Sequence, residues 1–131
     1  MGFDQYHEPA EELSDETRTL VRMLTNLTEE AEAIDWYEQR MSVEKDQDAL
    51  AIMANSLGEE YKHFSMELEF LLRKKPEWRA IARGILFKDG DIVDNGETSE
   101  EAATEGGGDS GAGSADPAGS LGIGSLKGAA S

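Results

Sequence analysis

Between Pro9 and Met41 the chain carries no glycine or proline, and Leu13, Thr17, Leu20, Leu24, Leu27, Ala31, Ile34 and Met41 recur mostly at steps of three and four. That spacing puts one apolar stripe on a helix, so a long amphipathic helix is predicted across the span. Pro9 suits its first turn, and Glu11, Glu12, Asp15 and Glu16 suit the positive end of the helix dipole. At roughly 1.5 Å per residue the helix is about 45 Å long. It is too long for a compact monomer and needs a partner surface along its length. A polar break from Ser42 to Asp46 precedes a second stripe of Leu50, Met53, Leu57, Phe64, Leu68 and Leu71, closed by Pro76. Helix two is therefore predicted from Asp46 to Lys75, and so short a break favours an antiparallel hairpin. Pro76-Glu77-Trp78 opens a short third helix through Ile81, Ala82, Ile85 and Leu86.

No strand pattern of useful length precedes the tail. From Asp89 the composition turns acidic, then glycine-rich between Glu105 and Ser114. Such a segment cannot bury enough apolar surface to offset its chain entropy and is expected to be a flexible linker. The predicted organisation is an all-α domain over residues 1–87, a linker over 88–118 and a terminal segment over 119–131.

Composition narrows the chemistry. With 131 residues, 38% of them hydrophobic, the chain is long enough for one modest domain. There is no cysteine, which removes disulfides, thiolate clusters and thiol nucleophiles and leaves carboxylate and imidazole as metal ligands, a set suited to Fe, Mn or Zn. No apolar run approaches the roughly 18 residues of a membrane span. Asp4, Glu8, Glu11 and Glu12 stand where a secretory signal has basic residues, so a soluble, cytoplasmic protein is expected. The net charge of −16 disfavours nucleic acid and anionic membranes and attracts cations. Up to Phe87 there are 19 acidic and 10 basic residues, and beyond it 9 and 2, so the tail is disproportionately acidic.

Two carboxylates interrupt the apolar stripes. Glu60 falls between Leu57 and Phe64 on helix two, and Glu30 between Leu27 and Ile34 on helix one. A buried carboxylate without a partner is strongly disfavoured, and a metal is a common resolution. His63 stands three residues after Glu60, so both ligands turn toward one point on a helix. Taken singly, these features also fit an exposed histidine and a Glu30 that reaches solvent from the rim of the seam. Taken together, they are half of a ferritin-like di-metal set, which uses a Glu from each of two helices and a Glu-x-x-His from each of the other two. A two-fold dimer of hairpins completes both the ligand set and a four-helix bundle.

The segment Glu29-Glu30-Ala31-Glu32-Ala33-Ile34-Asp35-Trp36-Tyr37-Glu38-Gln39-Arg40, with Asn55, Glu59, Glu60 and His63, resembles the encapsulated ferritins, two-helix relatives of ferritin housed inside encapsulin nanocompartments. The resemblance runs from His7 to Lys127. It implies a ferroxidase centre between two chains, with Glu30, Glu60 and His63 as iron ligands, Glu60 of both chains bridging, and Tyr37 close by. It also implies a peripheral metal site at Glu29 and Glu32 beside Trp36, which draws iron inward and takes Ca or another divalent ion. On a helix Glu29 and Glu32 are neighbours and Glu30 points elsewhere, so two sites on one segment are geometrically reasonable. Read without the resemblance, Glu29 and Glu32 are surface charge, and Trp36 and Tyr37 are packing residues.

Leu121-Gly122-Ile123-Gly124-Ser125-Leu126 looks like an encapsulin-targeting peptide. Leu121 and Ile123 share one side of an extended chain, Leu126 adds a third anchor, and the glycines let the backbone lie close to a groove. The implied protein oxidises Fe(II) with O2 or peroxide, assembles from dimers into a decameric ring, and leaves mineral storage to the encapsulin shell around it. The rival readings are a non-catalytic helical assembly protein with a structural interfacial metal, and an enzyme using another metal such as Mn. Gly58, just before the Glu pair, marks either close helix packing or local give, and His7 has no assigned role.

Overall fold

A computed structural model describes residues 6–109. The chain divides into two compact units, Met1–Leu71 and Leu72–Ser131. The described elements are all helical: a single 3-10 turn at Ala10–Glu12, then α1 (Asp15–Val43), α2 (Gln47–Lys74), α3 (Pro76–Arg83) and α4 (Ile92–Asp109).

In the first unit the long helix starts later than its periodicity alone predicts. Pro9 leads into the 3-10 turn, and the chain straightens at Leu13 and Ser14 before α1 begins. The cause is a cap: the Ser14 hydroxyl accepts from the Thr17 N–H at 3.0 Å, satisfying a donor that the first helical turn leaves free. Asp15 and Glu16 then occupy the positive end of α1, and Arg40 its last turn. The Arg18 guanidinium donates to the Ala10 carbonyl and ties the 3-10 turn to α1. At 29 residues α1 is about 43 Å long.

The connection to α2 is three residues, Glu44 to Asp46. The Glu44 carboxylate accepts from the N–H groups of Lys45 and Asp46 at 3.1 and 3.0 Å. Asp46 caps α2 by accepting from the Ala49 N–H at 2.9 Å. The two helices run antiparallel, as the cross-pairs show: Glu38 accepts from the Tyr61 hydroxyl at 3.2 Å, and Glu30 faces His63. The buried apolar residues here are few, Leu57 and the fully buried Leu71. Ile52, Tyr61 and Met66 of α2 remain exposed.

The second unit departs from expectation. The third helix is present, with Pro76 in its first turn, and ends at Arg83. Residues 92–109, read from composition as linker, form α4, which packs on α3. Asp91 caps α4 by accepting from the Asp94 N–H at 2.9 Å, and a Cβ added to Gly96 would lie 3.8 Å from Ile85 Cδ1. Composition conceals this helix, because net charge and glycine content average over a cap and a few small residues that suffice when a neighbouring helix supplies the packing. A Cβ added to Gly84 would lie 1.7 Å from Ser99 Oγ, so glycine is what lets α3 and α4 approach at that point. The turn between them holds Phe87 at φ 62° and Gly90 at φ 101°. The remainder of the expected linker from residue 110, and the segment bearing Leu121, Ile123 and Leu126, lie outside the described residues.

Candidate metal centre

Glu60 and His63 are one turn apart on α2, and Glu30 projects from α1 to meet them. One ligand atom from each falls within 4.8 Å of the others, and among the described residues no other three histidines or acids do so. His63 Nδ1 lies 3.3 Å from Glu60 Oε1 and 3.9 Å from Glu30 Oε2. Glu30 and Glu60 keep about a fifth of their side-chain exposure, 20% and 21%, and His63 keeps 42%. The cluster is thus open on one side, with the imidazole at its rim.

The electrostatics are those of a cation site. Among the described residues no lysine or arginine pairs with Glu30 or Glu60; the one lysine bridge nearby joins Lys62 to Glu59, outside the seam. The Glu30 carboxyl is pushed up to about 7. Burial is the largest cause, followed by hydrogen bonding to Glu60 and to Glu67 and by the charge of both. Three carboxyls therefore meet at Glu30 with only His63 to offset them. Oxygen and imidazole donors converging on one point fit a hard or borderline divalent ion.

Glu67 was not among the residues singled out from sequence. It lies seven residues after Glu60 and four after His63, hence on the same face of α2, and it is 9% exposed. The signal was present: it is a third acid beside the stripe, masked because Leu68 fills the apolar period next to it.

The other expected residues are placed differently. Trp36 and Tyr37 are engaged by Arg40, whose guanidinium lies 5.8 and 5.6 Å from the two ring centroids. Trp36 is exposed and Tyr37 half-buried. Glu29 is exposed and Glu32 half-buried on α1, and neither joins a group of three metal-binding side chains among the described residues. Gly58 has open space where a side chain would project, so within one chain it does not mark close helix packing. His7 is exposed. No helix among the described residues is long and apolar enough to cross a membrane.

Comparison with known proteins supplies the family. A sequence model of the family described as EncFtn-like matches residues 5–89. An encapsulated ferritin-like protein of Rhodospirillum rubrum is 42% identical over 125 residues, covering 95% of this chain and 89% of that protein. A ferritin-like protein of Thermotoga maritima is 41% identical over 108 residues, covering 82% of this chain and 95% of the relative. A crystal structure of protein ne0167 from Nitrosomonas europaea superimposes with a TM-score of 0.66 at 42% identity, covering 68% of this chain and 99% of that one. The donor set on two antiparallel helices and these matches over most of the length lead to one conclusion: the chain belongs to the EncFtn-like family of encapsulated ferritin-like proteins.

Proposed function

We propose that the protein is a ferroxidase, oxidising Fe(II) to Fe(III) at a di-iron centre shared by two copies of the chain and supplying iron for storage inside an encapsulin shell. The observation that carries this reading is the convergence of Glu30, Glu60 and His63 from two helices, half of a ferritin-like ligand set with whose acids no lysine or arginine pairs among the described residues. A second chain related by a two-fold axis doubles it to four carboxylates and two imidazoles. The exposure of Ile52, Tyr61 and Met66 on α2 supports such a partner, because an amphipathic helix this long gains most of its stability from covering its apolar face.

Each Fe(II) loses one electron; a pair of them reduces O2 to hydrogen peroxide with two protons, or peroxide to two waters. Glu30, Glu60 and His63 hold the substrate iron, Glu60 lying between the two positions. Carboxylates favour Fe(III) over Fe(II), so the protein's own charge sets the direction. Within each chain His63 Nδ1 is the ring nitrogen turned toward both the Glu60 and Glu30 carboxyls, so it is the imidazole donor this group would offer to an ion. Tyr37 serves close to the centre. Glu29, Glu32 and Trp36 form a peripheral site that takes iron or Ca on the way in. Leu121, Ile123 and Leu126 address the chain to the shell, in the cytoplasm, and the dimers build a decameric ring. The limit at 118, where the targeting segment begins, belongs to the same proposal.

Fe(II) added to metal-free protein in air tests the reading. Ferric absorbance is expected to grow faster than in buffer, and Glu60→Ala or His63→Ala to return it to the buffer rate. Unchanged rates in both variants contradict the assignment and favour a structural metal in an assembly protein. Deleting residues 119–131 is expected to abolish co-purification with the shell while oxidation persists.

A further inference from the structure

The ligand set of the proposed centre ends at Glu30, Glu60 and His63, yet the structure places a fourth metal-binding group against it. Glu67 is nine-tenths buried; its carboxyl hydrogen-bonds with Glu30, yet its Oε1 is fully enclosed with no hydrogen-bond partner. Among the described residues no lysine or arginine pairs with it. An enclosed carboxylate oxygen with neither donor nor counter-charge is among the more costly groups a fold can carry, and such groups persist where a ligand satisfies them.

Its surroundings indicate the ligand. Glu60 and Glu67 lie in line on one face of α2, about 10 Å apart along the axis, as two helical turns require. Glu30 crosses from α1 into the space between them and meets the carboxyls of both. Glu30 has two oxygens, and the row Glu60, Glu30, Glu67 offers two gaps, each lined by two carboxylates. His63 closes the first gap. The second is lined by Glu30 and by Glu67, the acid that carries the unpartnered oxygen.

We propose that Glu67 and Glu30 form a second divalent-cation position beside the Glu30, Glu60 and His63 group, so that Glu30 is shared between two ions in one chain. This rests on the reading of Glu30, Glu60 and His63 as a metal centre. The occupant is a hard or borderline divalent cation, because every donor in the second gap is a carboxylate oxygen.

Co2+ is a suitable probe, since it does not oxidise in air under these conditions and its visible bands report the ligand field. Full-length metal-free protein is titrated with Co2+ by equilibrium dialysis, as wild type, Glu67→Gln, Glu67→Asp and His63→Ala. Glu67→Gln is expected to weaken one class of Co2+ sites at least about 10-fold, the scale on which partners of metal ligands act. The spectral band that His63→Ala removes should persist in it, and Glu67→Asp should fall between wild type and Gln. Thermal melting supplies a second readout. Glu67→Gln removes one acid from the row and supplies an amide that can donate to Glu30, so without metal it should melt above wild type, and Co2+ should raise its melting temperature by less.

Equal numbers and affinities of Co2+ in wild type and Glu67→Gln overturn the proposal. So does a metal-free Glu67→Gln that melts below wild type or fails to fold, since Glu67 is then a structural hydrogen-bonding residue. If His63→Ala changes no part of the binding, the reading of the centre itself falls, and this proposal with it.

Discussion

The α1/α2 seam and the α3/α4 pair are both helix against helix, yet they spend their sequence on opposite ends. The seam sets acids at positions that its periodicity assigns to packing, with Glu30 against Glu60 and Glu67. The α3/α4 pair keeps its acids outside and brings the helices together at Gly84. A seam that gathers several carboxyls offers its oxygens to a cation, whereas a glycine contact needs nothing further to close. The first arrangement stores a binding function at the expense of stability, and the second contributes only structure.

The contrast is tested most sharply where the effect is largest. Glu60→Ala or His63→Ala is expected to remove Fe(II) oxidation above the buffer rate while leaving α3 and α4 as protected against hydrogen exchange as in wild type. Next is Leu71→Ala, which empties the one side chain among the described residues with no exposure at all. It is expected to cost about 2–5 kcal/mol by denaturant unfolding. A loss below about 1 kcal/mol would show that the site collapses onto the gap.

Two glycines then give the same substitution opposite signs. Gly84→Ala drives a methyl into Ser99 and is expected to destabilise by about 1–3 kcal/mol, with Co2+ binding at the seam unchanged. Gly58→Ala meets open space on α2 and is expected to stabilise the helix by up to about 1 kcal/mol. A destabilising Gly58→Ala, measured on the assembled protein, would instead place a partner helix there. The smallest effects are at the caps: Ser14→Ala and Asp91→Ala should each cost about 1 kcal/mol, read as faster amide exchange in the first turn of α1 and α4 respectively.

Acidity supplies a further test of the seam. Because the Glu30 carboxyl is raised, its neutral form is the one the fold favours. Its contribution to the stability of metal-free protein is fully present below its ordinary value of 4.5 and is lost as pH rises through about 7. The stability difference between wild type and Glu30→Gln should therefore shift against wild type over that window. Protons also compete with metal for the same oxygens, so Co2+ affinity should rise over the same range.

Much of this was legible in the residue order. Apolar steps of three and four located α1 and α2, and Pro76 located the start of α3, because a helix repeats faster than side-chain detail can obscure it. Glu30 and Glu60 were legible as acids that break an apolar stripe. The late start of α1 was not, because periodicity continues through the Ser14 cap and only the Ser14–Thr17 hydrogen bond ends it. α4 was hidden by its glycines and charge, and its cap at Asp91 and its packing on α3 are facts of position rather than composition.

The sequence by itself determined which residues offer metal-binding atoms and on which face of each helix they stand, because the helical repeat fixes both. Only the tertiary structure decided which of those faces meet. It drew Glu30 across to Glu60 and His63, left Trp36 and Tyr37 under Arg40, and enclosed Glu67 beside Glu30. Spacing along a chain is a local property, whereas the burial of a carboxylate depends on what a second helix brings against it.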